Sequence, residues 1–259
     1  MGAMKKTAKK AAARRTVISM ATEFGGFPTA AFTFLNGLAE HNEREWFEAR
    51  RDTYETALRE PMKALIEEMD SRLAMFVPEI TGTVKGSMFR IHRDVRFSKN
   101  KAPYKTNAAC WFFHRDSKGN VGQEAVHGGA GMYFHLEPRA CFAGGGVWMP
   151  PSPVIKRIRA ALDVGYEEFE SIVSAKPFKK LFGAMETEAM LKRMPRGFAP
   201  EHPAGDWLRH QSFTAGCALK QSDVTNIALA DRLEEIYRTI TPLVRWLNTA
   251  MGFRPHSSR

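Results

Sequence analysis

The segment 88–107, MFRIHRDVRFSKNKAPYKTN, crowds six cationic side chains around a single acid, Asp94. The cations are Arg90, Arg93, Arg96, Lys99, Lys101 and Lys105. Arginine guanidinium groups fork to pairs of phosphate or carboxylate oxygens, and lysine supplies a point charge. Because one acid cannot neutralise so many bases, the segment predicts an anionic ligand that bears phosphate, either nucleic acid or a nucleotide.

Alternation of residue types predicts a β-strand over residues 87–97, with its apolar side chains on one buried face and its charged ones on the other. Phe97 belongs to the apolar face and is expected in the core. The turn that follows adds donors for an oxyanion, among them Asn107. We expect Tyr104 to stack on a base or to donate a hydrogen bond, as aromatic side chains between basic ones do in single-strand sites.

A second dense cluster lies at the predicted start of a helix. Asn42 with Glu45 three residues later predicts a capping box, and the free N–H groups of a helix start also attract anions. Arg44 and Trp46 are therefore included among the predicted ligand-binding residues. If this helix start faces the basic strand, the two features form one pocket.

Two alternatives to nucleic-acid binding remain open from the residues. In the first, the protein is an enzyme acting on a small phosphorylated or carboxylated substrate, and His92, Asp94 or Glu45 moves a proton. In the second, the protein is a structural or interaction protein. Asp94 then pairs with Arg90 or Arg96, and the other bases pair internally with Glu43, Glu45 and Glu48. The sequence does not decide whether the protein is an enzyme.

Metal and cofactor motifs are weak throughout the chain. His135 and Glu137 share one strand face, but two ligands do not make a site, and neither HExxH nor a calcium-loop pattern occurs. We predict no metal and no cofactor. The glycines at 144–146 do not fit a phosphate-binding loop and predict close backbone packing instead.

The basicity of the chain is local. The net charge of +10 over 259 residues comes from six bases in residues 1–15 and from seven bases and one acid in residues 85–105, which leaves about −2 elsewhere. We expect residues 1–23 to form a disordered basic tail, with an organelle transit peptide as the alternative. No apolar run approaches the roughly 18 residues of a membrane span. Three unpatterned cysteines favour reduced thiols in the cytoplasm.

Residue periodicity predicts the order of the elements. Helical spacing is found over 30–40, 42–58 and 61–73, and again over 152–162, 166–174, 222–239 and 242–251. Short segments rich in aromatic and β-branched residues predict strands at 87–97, 107–114, 130–137, 140–149 and 212–219. This order predicts a single α+β domain over 24–253, in which N-terminal helices, a central antiparallel sheet and C-terminal helices pack together.

Several long motifs resemble a known family. They are FLNGLAEHNEREWFEARRDTYE at 34–55, FRIHRDVRFSKNKAPYKTN at 89–107, YFHLEP at 133–138 and GGGVWMPP at 144–151. Together they resemble the domain of unknown function 2461 over residues 24–250. The resemblance implies a soluble single-domain protein and no established activity. His41 and His92 stand where asparagine and tyrosine are more usual, so the resemblance supports no role for either histidine.

Overall fold

Helices flank a five-stranded antiparallel sheet in the computed structural model, which describes residues 24–117 and 129–255. The predicted basic tail lies outside the described residues. The strands are β1 Ile80–Thr81, β2 Ala108–His114, β3 Gly131–Leu136, β4 Phe142–Val147 and β5 Phe213–Ala218, and they are adjacent in chain order. The α+β prediction and the four predicted strands from 107 onward are confirmed, whereas the short β1 was missed.

Helices precede and follow the sheet. Before it lie α1 Thr29–Glu40, α2 Arg44–Glu48, α3 Arg51–Tyr54, a π-helical turn Glu55–Arg59 and α4 Glu60–Leu73, and α5 Val84–Ser87 follows β1. After β4 come α6 Ser152–Ser174, α7 Lys176–Phe182 and α8 Gly205–Arg209, and after β5 come α9 Gln221–Val224 and α10 Leu229–Met251. None of the described helices has the length and apolar composition that crossing a membrane requires.

Two of the predicted helix breaks are wrong, the one between residues 162 and 166 and the one between residues 239 and 242. Helix α10 runs through Pro242, because leucine, isoleucine and valine on both sides of the proline are buried along the same stripe. Helix α6 likewise joins two predicted helices, with a kink at Gly165, where φ is −153° and ψ is 51°. In both helices, burial of the apolar stripe stabilises the helix more than Gly165 or Pro242 destabilises it.

The predicted strand at 87–97 is also wrong. Residues 88–107 instead form what we call the basic hairpin, two arms joined by an isolated bridge at His92–Tyr104, and a second bridge, Met88–Cys110, joins the first arm to β2. Pro103 lies in the second arm and has no N–H to donate, which limits regular pairing. Phe97 is 96% exposed, so the expectation that it belongs to the core is wrong.

Glycines let the strands β4 and β5 approach closely. A Cβ atom on Gly144 would lie 2.1 Å from the carbonyl oxygen of Ala215, and one on Gly146 would lie 2.0 Å from that of Phe213. Gly146 also has a φ of +127°, which strains other residues. The close backbone packing predicted for the glycine run is confirmed.

The prediction of unpaired cysteine thiols is confirmed. Cys110, Cys141 and Cys217 are free thiols, and burial raises the pKa of each of them. Raised thiol pKa values make nucleophilic roles for these groups unfavourable.

Candidate nucleic-acid interface

The basic hairpin is held by a few backbone hydrogen bonds between its arms. The N–H of Arg93 donates to the oxygen of Pro103 at 2.8 Å, and the N–H of Lys105 donates to the oxygen of Ile91 at 2.8 Å. At the tip, the ammonium of Lys101 donates to the oxygen of Val95 at 3.0 Å. The tip therefore has a defined shape although it contains no regular strand.

Asn42 fastens the hairpin to the helices. Its Nδ2 donates to the oxygen of Tyr104, and its Oδ1 accepts from the N–H of Tyr104, both at 3.0 Å. The Tyr104 ring is 3% exposed and stacks on Phe47 of α2, with ring centroids 4.2 Å apart and planes 13° apart. The start of α2 thus contacts the basic segment, but no residue of α2 lines the cleft described below.

The capping role predicted for Asn42 is wrong. Glu43 occupies the position before α2 and no side chain caps that helix. The amide of Asn42 satisfies two backbone groups 62 residues away instead, and one amide cannot do both.

Asp94 and Arg96 form an ion pair on the surface of the hairpin. The Nε and Nη2 atoms of Arg96 donate to the two carboxylate oxygens at 3.0 and 2.7 Å. These bonds, with a further one from the backbone N–H of Arg96, lower the pKa of Asp94 to about 2. Because the carboxylate stays ionised at all pH values well above 2, it has no proton to donate near neutrality.

The remaining candidates for proton transfer are placed apart. The His92 ring contacts Phe47 and Tyr104, with centroids 6.2 and 5.1 Å away, whereas Asp94 is engaged by Arg96. The strand face that would have paired His92 with Asp94 does not exist, since the segment is not a strand. Glu45 is exposed in the first turn of α2.

Four of the six hairpin cations have no carboxylate partner in the described part of the chain. Arg93 Nη1 donates to the oxygen of Ala102 at 3.2 Å, and Lys101 binds a carbonyl as described above. Arg90 and Lys99 are exposed and form neither a hydrogen bond nor an ion pair with any described residue. Arg90 is nevertheless close enough to Asp94 for its charge to help lower the pKa of that carboxyl, after the larger effect of Arg96.

Phe97 occupies the tip of the hairpin beside Arg96. The guanidinium carbon of Arg96 lies 5.8 Å from the centroid of the Phe97 ring. An almost fully exposed aromatic ring next to a guanidinium offers a stacking surface and a phosphate donor in one place.

A cleft of about 400 Å³ opens where the hairpin meets the sheet. Its lining residues are Phe89, Arg93, Asp94, Lys105, Asn107, Ala109, Tyr133 and His135. The ammonium of Lys105 lies 4.9 Å from the centroid of the Phe89 ring. The cleft thus brings three predicted ligand-binding residues together with Tyr133 and His135 of β3. These three are Arg93, Lys105 and Asn107.

Three side chains on one face of β3 and its continuation are joined by hydrogen bonds. The hydroxyl of Tyr133 lies 2.9 Å from His135 Nδ1, and His135 Nε2 lies 3.0 Å from Glu137 Oε2. The hydroxyl of Thr106, in the second arm, donates to the other oxygen of Glu137 at 3.4 Å. No group of three metal-ligating side chains occurs among the residues described.

Comparison with known proteins identifies the family of this chain and nothing beyond it. The family described as "Conserved hypothetical protein (DUF2461)" matches residues 30–246. The chain belongs to this family. No curated protein and no solved structure matches it. Family membership therefore confirms the resemblance but supplies no activity for the DUF2461 fold.

The remaining predicted site residues lie on α2, outside the cleft. Arg44 is exposed in the first turn. Trp46 packs against Gly37, where a Cβ atom would lie 2.6 Å from the indole, and the guanidinium of Arg50 lies 4.4 Å from its ring centroid. The structure thus gives Trp46 a packing role.

The internal ion-pair alternative is present in the pair of Asp94 with Arg96, but it does not extend to the acids at the start of α2 and within it. Glu48 accepts two hydrogen bonds from Arg51, at 2.8 and 2.6 Å, and not from a hairpin cation. These bonds lower the pKa of Glu48. Glu43 and Glu45 are exposed and form no ion pair among the described residues.

Sequence reasoning missed Tyr133. The pattern Tyr133-x-His135-x-Glu137 was visible, and a strand places such residues on one face. However, only the path of the hairpin shows that Tyr133 and His135 line the same cleft as Arg93 and Lys105.

Proposed function

We propose that this protein binds single-stranded nucleic acid through the basic hairpin. Hairpin cations contact the backbone phosphates, and Phe97 stacks on a base. The contacting cations are Arg90, Arg93, Arg96, Lys99, Lys101 and Lys105. The observation that carries the proposal is the exposure of Phe97 at the tip of a hairpin where four of six cations lack a carboxylate partner.

The aromatic tip favours single strands over duplexes. An exposed ring stacks on the face of a base only where that base is not already stacked between two neighbours. Base stacking on an aromatic side chain contributes roughly 1–3 kcal/mol per base and tolerates every base type. The guanidinium of Arg96, held between Asp94 and Phe97, lies close enough to contact a phosphate beside the stacked base.

The hairpin is also ordered before it binds. Asn42 and the stacked pair of Phe47 and Tyr104 fix its base, so less conformational freedom is lost on binding. Tyr104 itself is buried by these contacts, so in this proposal it supports the hairpin. The cytoplasmic location expected from the free thiols is part of the same proposal.

Replacing Phe97 with alanine tests the proposal. We expect Phe97→Ala to weaken binding of a fluorescent single-stranded oligonucleotide by roughly 1–3 kcal/mol, about 5- to 150-fold in Kd. Phe97→Trp should retain or improve binding. Fluorescence anisotropy at fixed salt measures the affinity, and stability should change by less than about 0.5 kcal/mol because the ring is exposed.

Met75→Ala is the matched control, since Met75 is another large apolar side chain that is 82% exposed. It should leave the affinity unchanged. Equal affinities for the wild type, Phe97→Ala and Met75→Ala would reject a stacking role for the tip.

A further inference from the structure

The cleft at the base of the hairpin contains a hydrogen-bonded chain of hydroxyl, imidazole and carboxylate. The order Tyr133, His135, Glu137 is the order in which catalytic triads join a nucleophile, a base and an acid that orients the base. Tyr133 and His135 line the cleft, and the His135 side chain is only 12% exposed. A partly buried base in contact with a hydroxyl in a cleft is a feature of nucleophilic catalysis.

The two ends of the imidazole have different partners. The ionised carboxylate of Glu137 can only accept, so His135 Nε2 carries a proton and donates it to Glu137. In the neutral ring, Nδ1 then accepts from the hydroxyl of Tyr133. Thr106 holds the second oxygen of Glu137, and Phe142 stacks on the imidazole with centroids 4.8 Å apart. The ring is therefore fixed with its basic nitrogen at the phenol.

The other walls of the cleft supply groups that suit a phosphate. Arg93, Lys105 and Asn107 provide donors, and Phe89 provides an aromatic wall. Asp94 also lines the cleft, but Arg96 already binds both of its oxygens. A phosphodiester in the cleft would place its phosphorus among these donors and near the phenol.

We infer that Tyr133 is the nucleophile of a phosphodiester-cleaving reaction, an inference that takes its substrate class from the proposed function. The phenol oxygen bonds to phosphorus while the bond from phosphorus to the leaving oxygen breaks. The phenol proton passes to His135 Nδ1, and the leaving oxygen takes a proton from the ammonium of Lys105. His135 then loses its extra proton to water, and Lys105 regains a proton from water.

The covalent intermediate is released by the reverse chemistry. A water oxygen bonds to phosphorus, the bond from phosphorus to Tyr133 breaks, and the water proton returns to the phenol oxygen through His135. No oxidant, reductant or further group is consumed. Tyr133 and His135 are catalytic residues here, and Glu137 is a positioning residue that holds the imidazole.

The test uses the full chain with bis(4-nitrophenyl) phosphate, a small diester whose leaving group absorbs visible light. The wild type should release 4-nitrophenolate and, after an acid quench, carry one nitrophenyl phosphoryl group on the peptide containing Tyr133. Tyr133→Phe should abolish both signals. His135→Gln should slow release by roughly 100-fold or more. Tyr166→Phe, which alters a tyrosine on α6, is the matched control and should behave as the wild type.

Glu137→Gln separates positioning from structure. An amide oxygen still accepts the Nε2 proton but carries no charge, so kcat should fall while KM and thermal stability stay unchanged. Equal loss of kcat and stability would show that Glu137 is only structural. Release of 4-nitrophenolate no faster than from Tyr133→Phe, or an adduct on any other residue, would overturn the assignment.

Oligonucleotide binding measured on the same proteins keeps the two proposals distinct. Tyr133→Phe should bind the oligonucleotide as the wild type does, because the hairpin is unchanged. Met75→Ala should react normally with the small diester. Intact binding without a reaction refutes only the catalytic assignment, and reaction without oligonucleotide binding refutes only the proposed function.

Discussion

Asn42→Ala is expected to lower the free energy of unfolding by roughly 2–6 kcal/mol. This is about 1–3 kcal/mol for each of the two backbone groups that the substitution leaves without a hydrogen-bond partner. The N–H and the carbonyl oxygen of Tyr104 each bond to the Asn42 amide and have little access to water. The loss should also free the hairpin from α2, so we expect weaker nucleic-acid binding as well. Urea unfolding and anisotropy titrations measure the two effects.

A graded series sharpens this test. Asn42→Asp keeps an acceptor for the Tyr104 N–H but loses the donor for its carbonyl, so its stability should be intermediate. Asn36→Ala is the matched control, because Asn36 is exposed on the neighbouring helix α1. If Asn42→Ala is as stable as Asn36→Ala, the amide does not anchor the hairpin.

Arg245→Ala is expected to cost roughly 3–5 kcal/mol of stability, because it leaves the carboxylate of Glu79 buried and unpaired. The Glu79 side chain is 2% exposed and accepts from Nε and Nη2 of Arg245 at 2.5 and 3.3 Å. The same Nη2 donates to the oxygen of Phe76 at 3.2 Å, so the guanidinium joins α10 to the turn before β1.

The double variant Glu79→Gln with Arg245→Ala removes the buried charge and should recover much of that loss. Arg232→Ala, which breaks the surface pair with Glu235 on the same helix, should cost no more than about 1 kcal/mol. Denaturant unfolding of all three proteins decides the matter. An Arg245→Ala protein no less stable than Arg232→Ala would contradict the buried-charge explanation.

The sequence was sufficient to predict strands β2 to β5, but not the short strand β1 or the hairpin. Strands β2 to β5 were predictable because their aromatic and branched residues are consecutive and bounded by turns. In the hairpin the same alternation is present, but the second arm that should complete the pairing contains Pro103, and Phe97 lies at a tip with no sheet beneath it. Alternation describes which residues share a face and does not show whether that face is covered.

The candidate site was predictable in its charges and not in its contacts. The cations were evident from composition alone. Asn42 was assigned to a cap because helix starts favour asparagine, whereas its partner lies 62 residues away and is set by tertiary packing. Tyr133 became part of the site only through the position of the hairpin over β3, which no local pattern encodes.

The central claim is that the hairpin cations bind backbone phosphates, and the salt dependence of oligonucleotide affinity tests it most directly. Each phosphate contact with a single strand contributes about 0.7 to the slope of log affinity against log salt. The triple variant Arg90→Gln, Lys99→Gln, Lys101→Gln should therefore have a slope shallower by about 2 than the wild type. The matched triple variant Lys192→Gln, Arg193→Gln, Arg196→Gln alters another basic groove and should keep the wild-type slope. A wild-type affinity that does not change with salt, or equal slopes for the wild type and the hairpin variant, would contradict the account.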